Sequence, residues 1–378
     1  MGFQFQSLAS VAPPLIGDLG LGYAEVGFLI GLYFLPGVVL ALPGGLLGRR
    51  FGDKRVVALG LGLMAAGGAV AGFADGYAAL VAGRLLSGFG AVLLNVLMAK
   101  MVTDWFAGRE IVLAMAVFVN SFPIGIGLAL LTLGGLAEGL GWRVALHATA
   151  AAATAALLLV AIAYRPHPND GRAGATAAPG GERISRREAA LACLAGAIWG
   201  IFNGAFAITF AFAPILLVGT GLTLGGAGTL VAVATWLSVA SVQAGGLIAQ
   251  RWGHRTALLL FCILTWGIGL LLLPLAPPVP VLLAIGLVQG LPVGVVMAMP
   301  AEVLRPQSRA TGMGLFYTAL YVGHAALPPV AGWLLDLSGT PAAALAFAGV
   351  LVLSIVPLFA AFRGLQRRAP RVGTEAAR

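Results

Sequence analysis

The sequence predicts an all-α membrane protein with twelve transmembrane helices in two similar six-helix halves. Three observations predict it. Of 378 residues, 60% are hydrophobic and 9% charged, and the mean hydropathy is +0.99, which is more apolar surface than a soluble interior can hold. Apolar stretches of about 20 residues, the length a bilayer core requires, follow one another along the chain. Finally, GGLLGRRFGDKR at Gly44–Arg55 returns as GGLIAQRWGHR at Gly245–Arg255, with Gly52 and Gly253 standing 201 residues apart. Repetition over half the chain length marks duplicated halves rather than a solenoid of short units.

The predicted spans of the first half are 1–17, 24–47, 55–74, 77–103, 110–137 and 143–164. Those of the second are 189–219, 224–249, 256–275, 279–303, 309–335 and 341–362. Helices rather than barrel strands follow from run length, because nothing alternates apolar and polar over about ten residues. Residues 1–164 therefore form an N-terminal bundle and 189–364 a C-terminal one, with a linker at 165–188 and a basic tail at 365–378. The linker, RPHPNDGRAGATAAPGGERISRRE, is rich in Pro, Gly and Ala and reads as flexible, with a short surface helix near Ile184–Glu188. The first span starts directly at Met1 and carries Gln4, Gln6, Ser7 and Ser10. This predicts either a natural start upstream or a first helix that is short on its cytoplasmic side.

Charge sets the orientation. Alternate connections carry Arg49, Arg50, Lys54 and Arg55, then Arg109, the linker arginines, Arg251 and Arg255, Arg305 and Arg309, and the tail from Arg363. The other connections carry Asp18, Glu25, Asp75, Glu138 and Asp336, with Arg143 as their one basic residue. The asymmetry predicts both termini in the cytoplasm of an inner-membrane protein. It also accounts for the net charge of +9 without nucleic acid, since the cations sit in short turns. Cys193 and Cys262 lie in separate apolar runs without metal-ligand spacing, so neither a metal nor a cofactor is expected.

The two six-helix halves, the central loop and the basic turns after the second and eighth spans resemble the major facilitator superfamily over essentially the whole chain. In that family's loop motif a glycine leads through three residues to Asp-Arg, then Gly and two basic residues. Here the stretch reads Gly45, Leu46, Leu47, Gly48, Arg49, Arg50, Phe51, Gly52, Asp53, Lys54. Arg49 holds the usual aspartate place and Gln250 the same place in the second copy, while Asp53 stands as a partial replacement. RLLSGFG at Arg84–Gly90 resembles the motif of the fourth helix, and NSFPIGIG at Asn120–Gly127 that of the fifth, where Pro123 serves as a bend or half-to-half contact. Within the family the chain is most similar to the cyanate-permease-like group, through LPGGLLGRRFGDKR and GLFYTALYVGHAALPPVAGWLLDLSG.

The resemblance implies a solute site near mid-membrane between the halves and alternating access to it. The candidate substrate-binding pool is Gln6, Tyr33, Arg84, Asn95, Asn120, Asn203, Trp236, Gln289, Tyr317, Tyr321 and His324. Arg84 lies on the order of 10 Å inside the fourth helix by helical rise, where a charge is costly unless paired. Its counterpart in the second half is Gly286. A brace on backbone carbonyls and a ligand for solute are both open for Arg84. The candidate gating set is Gly45, Arg49, Arg50, Gly52, Asp53, Pro123, Arg251, Gly253 and Gly312. In this reading the Gly44–Arg55 stretch latches against the Gly312 and Gly314 end of the eleventh helix.

No span holds a mid-helix Asp or Glu, which disfavours export of organic cations. The arginine, the histidine and the amides favour a small organic or inorganic anion, moved by a monomer with a proton or counter-anion as coupling species. His324 is suited to proton coupling. A multidrug or metabolite exporter and a transporter-like solute sensor are the alternatives. Neither HExxH nor GxSxG occurs, so an enzyme is not expected.

Overall fold

The computed structural model describes residues 1–40, 47–48, 50–106, 111–165, 184–305 and 308–367, and among these every regular element is helical. In chain order they are α1 (Gly2–Ser10), α2 (Ala12–Leu19), α3 (Tyr23–Leu32), α4 (Leu35–Leu40), α5 (Asp53–Gly72), α6 (Tyr77–Phe106), α7 (Ile111–Leu140) and α8 (Trp142–Ala163). There follow α9 (Arg186–Gly219), α10 (Leu224–Trp252), α11 (Arg255–Leu272), α12 (Pro278–Gln289), α13 (Val293–Val303), α14 (Arg309–Ser338) and α15 (Pro341–Arg367). Ten stretches of the described chain are long and apolar enough to cross a membrane. The α1–α2 stretch and α14 are not among the ten; the first is broken and polar, and the second carries His324 and two prolines.

Three predicted spans are each built from two helices, and proline chemistry explains every break. Pro13 and Pro14 lack the N–H groups that Ala9 and Ser10 carbonyls would accept, and the chain turns at Val11 between α1 and α2. Pro36 does the same to Leu32 between α3 and α4, and Pro292 to Val288 between α12 and α13. The predicted surface helix near Ile184–Glu188 is corrected. Ser185 caps α9, its Oγ accepting from Glu188 N at 3.1 Å while Glu188 Oε2 accepts from Ser185 N at 3.1 Å, so residues 186–188 are the first turn of a 34-residue helix.

Helices of the two halves meet along two seams, α3 with α14 and α7 with α10. Small residues set these distances. A Cβ on Gly27 would stand 2.3 Å from Pro328 O, one on Gly31 2.2 Å from Ala325 O, and one on Gly228 2.2 Å from Leu130 O. Close backbone approach is the packing device left to helices in lipid, where apolar burial gives no drive to associate. We expect Gly31→Ala to cost about 1–3 kcal/mol of seam packing, whereas Gly17→Ala, with open space at its Cβ, leaves the protein unchanged. Thermal unfolding of the two purified variants checks this.

Candidate functional site between the seams

Each seam ends in the same device. At the end of α14, Asp336 Oδ1 accepts from Tyr23 N at 2.8 Å and Oδ2 from Ala24 N at 2.7 Å. Near the end of α7, Glu138 Oε1 accepts from Leu224 N at 2.7 Å and Oε2 from Gly225 N at 3.3 Å. The four amides begin α3 and α10, at repeat-equivalent positions. Each carboxylate thus satisfies N–H groups that have no intrahelical partner and sits at the positive end of a helix dipole. On the same face Asp18 accepts from Trp142 Nε1 at 2.9 Å and from Arg143 at 2.7 Å. The Trp142 bond first, then that of Arg143, holds its carboxyl below the usual range. This contact is complete above the unfolded-state value and is lost as pH falls through the folded one.

Inward of the α3–α14 seam lies a buried polar knot. Arg84 of α6 is 2% exposed. Its Nε donates to Leu29 O at 3.0 Å, Nη1 to Gln4 O at 2.9 Å and Nη2 to Phe5 O at 2.9 Å. Its guanidinium also lies 4.6 Å over the Tyr33 ring. Three donors on carbonyls of α1 and α3 make it a brace at the point where both helices approach their proline breaks. In the second half, Gly286 brings α12 against α10, with its Cβ position 2.4 Å from Ala234 O.

Beside the knot, aromatic residues from both halves converge. Phe34 packs 5.0 Å from Phe5, 6.1 Å from Phe122 and 6.1 Å from Tyr321, measured between ring centroids. The His324 imidazole lies 4.3 Å from Phe34 and edge-on to Phe5 at 6.1 Å. His324 is 4% exposed, and neither ring nitrogen has a hydrogen-bond partner among the described residues. The Tyr321 hydroxyl lies beside the Asn95 side chain of α6, and the Tyr33 hydroxyl donates to Met1 O at 3.3 Å. Gln6 donates to Phe210 O of α9 at 2.9 Å.

The remaining candidates are more scattered. Asn203 donates to Trp199 O of its own helix at 2.8 Å. Trp236 of α10 lies over Gly127 of α7 and reaches Ile124 O at 3.4 Å. Asn120 is half-buried one turn before Pro123. Tyr317 stands edge-on to Phe316 at 5.4 Å. Gln289, at the α12–α13 break, is 1% exposed with both amide atoms unpartnered among the described residues. The aromatic side chains Phe5, Phe34 and Phe122 were absent from the candidate pool, as were Glu138 and Asp336. The acids stand opposite amides that recur 201 residues apart, a signal that a charge count for orientation passes over.

Of the gating set, Gly45 and Arg49 lie outside the described residues. Gly52 (φ +87°) and Gly253 (φ +69°) take up the left-handed region that only glycine enters without strain. Asp53 is buried and ion-paired with Lys100 of α6, which also reaches Asp104 at 2.9 Å. Arg50 lies 5.3 Å over the Phe51 ring, and Arg251 is exposed in the last turn of α10. Gly312 packs on the Leu304 side chain, whereas α4 meets α14 at Gly37, against the Tyr321 ring.

The comparisons with known proteins agree with this architecture. The Major Facilitator Superfamily model matches residues 1–226 and again 194–378. The chain belongs to the major facilitator superfamily and is a multi-pass secondary transporter of small solutes rather than an enzyme. It is 27% identical over 347 residues to a probable 4-methylmuconolactone transporter of Cupriavidus pinatubonensis, covering 83% of this chain and 76% of that one. A probable L-galactonate transporter of Escherichia coli is 28% identical over 126 residues, 33% of this chain and 28% of that one. Among solved structures, a bacterial homologue of the human lysosomal transporter Spinster, in an inward-facing and occupied conformation, superposes with a TM-score of 0.74 at 16% identity. That match covers 97% of this chain and 94% of the other.

Proposed function

We propose that this protein moves a small organic anion across the inner membrane by alternating access between bundles 1–164 and 189–364, as a monomer of twelve spanning helices with both termini cytoplasmic. The observation that carries the reading is the buried centre where α1, α3, α6 and α7 of one half meet α14 of the other, behind two seams closed at the acidic face. Rocking about the seams opens that centre to one side at a time. Arg84 acts as the brace that shapes it. His324, Asn95 and Tyr321 are the groups that meet solute, with a proton or counter-anion as coupling species. Relatives named for 4-methylmuconolactone and L-galactonate transport support an oxygen-rich organic solute over an inorganic one, and cyanate remains a member of the test panel.

Counterflow in proteoliposomes with small carboxylates, lactones, cyanate, nitrate and common drugs tests this. Exchange confined to carboxylates or lactones is the expected result; exchange of drugs alone identifies an exporter, and binding without exchange identifies a sensor. In the same assay His324→Phe keeps the ring packing but removes both nitrogens. We expect about a tenfold weaker apparent affinity for the exchanged solute, the equivalent of about 1.4 kcal/mol. An unaltered affinity removes His324 from the site.

A further inference from the structure

A second site lies at the other copy of the repeated turn. A groove of about 640 Å³ runs between the end of α10, the start of α11 and the α12–α13 break, lined by Ile248, Trp252, Leu258, Phe261 and Leu291, with His254 at its mouth. Trp252 is 65% exposed and Phe261 59% exposed, so the groove opens sideways, along the surface that faces lipid.

The cations that flank the lining residues along the chain, Arg251 and Arg255, are held differently from those of the first copy. In the first half, Lys54 is tied to the end of α8, donating to Ala161 O at 3.0 Å and Tyr164 O at 2.7 Å. Arg255 occupies the repeat-equivalent position, and Leu365 is equivalent to Tyr164. There the Leu365 carbonyl is taken by Arg187, which also reaches Gln366 O at 3.4 Å. Arg255 is left 51% exposed, 3.8 Å from Glu302, while Glu302 is held at 2.7 Å by Arg363. Arg251 and His254 are exposed beside it. The start of α11 adds to the surplus of positive charge. His254 precedes it without capping its amides, because the ring Nδ1 bonds Trp252 O at 2.6 Å instead.

We propose that this groove binds an anionic phospholipid, with an acyl chain along Trp252, Leu258 and Phe261 and the phosphate at Arg251, Arg255 and the uncapped amides of α11. Helix N-termini favour phosphate oxygens, and basic pockets between membrane helices favour anionic headgroups. The apolar lining and the sideways opening select a chain-bearing phosphate over a free one.

Native mass spectrometry of the full-length protein in detergent tests the assignment, using phosphatidylglycerol and phosphatidylcholine with identical chains, and inorganic phosphate as competitor. We expect about tenfold greater retention of phosphatidylglycerol in the native protein. The preference falls to parity in Arg251→Gln/Arg255→Gln, whose exposed positions leave the fold intact by circular dichroism. Ala257→Phe, which fills the groove, lowers phosphatidylglycerol retention with the arginines still present. Equal retention of the two lipids, an undiminished preference in the double variant, or displacement of the lipid by millimolar phosphate each overturns the proposal.

Discussion

Removing both seam acids, as Glu138→Ala with Asp336→Ala, opens the acidic face. Each carboxylate caps two amides that begin a helix of the other half. Both acids are exposed, so the surface values for capping and for the helix dipole apply, about 1 kcal/mol each. In the proposed alternating-access cycle the two together bias the closed state by about 2 kcal/mol, roughly thirtyfold in population. Leu130 stands in the α7–α10 seam at 1% exposure. With Cys193 and Cys262 changed to Ser, Leu130→Cys reacts slowly with a membrane-impermeant maleimide added to the acidic side, and about thirtyfold faster once both acids are gone. Each single substitution gives an intermediate rate, because the two caps lie on separate seams. Equal rates in all four proteins mean that the glycine contacts alone hold the face closed.

The duplication was legible in the sequence because it is written in residue types with strong backbone demands. Gly52 and Gly253 both adopt positive φ, so the repeat shows wherever glycine is obligatory. The broken helices were written equally plainly in Pro13, Pro14, Pro36 and Pro292, yet apolar run length, the signal used to draw spans, is blind to a lost N–H donor. The seam acids were visible only as charge. Their role depends on pairing Asp336 with Tyr23 and Glu138 with Leu224, partners 313 and 86 residues away in sequence. Linear pattern carries no such distance information. The aromatic centre was hidden for a related reason: in a chain this apolar, Phe5, Phe34 and Phe122 look like any other membrane-facing residue until tertiary packing turns them inward.

Arg84→Ala is the substitution expected to destabilise the protein most. Its three hydrogen bonds gather carbonyls of Gln4 and Phe5 on α1 and of Leu29 on α3 onto α6. Bonds from a charged donor are worth about 1.5–3 kcal/mol each, but these carbonyls also accept within their own helices, so the three do not add in full. A loss on the order of 3 kcal/mol follows, with Tyr33 left facing a void where the guanidinium lay. Arg84→Lys keeps the charge and three donors on a point-like head that does not reproduce the planar fork, and is expected to recover about half of the lost stability. Scanning calorimetry or tryptophan-monitored unfolding gives the order native, Lys, Ala. The two readings of this residue separate in the Lys variant. As a brace, Arg84→Lys lowers the melting temperature while the apparent solute affinity in counterflow stays within about threefold of native, a difference under about 1 kcal/mol. As a solute ligand, it loses affinity by tenfold or more while the melting temperature holds. The geometry, with three of five N–H groups bound to backbone, selects the first outcome.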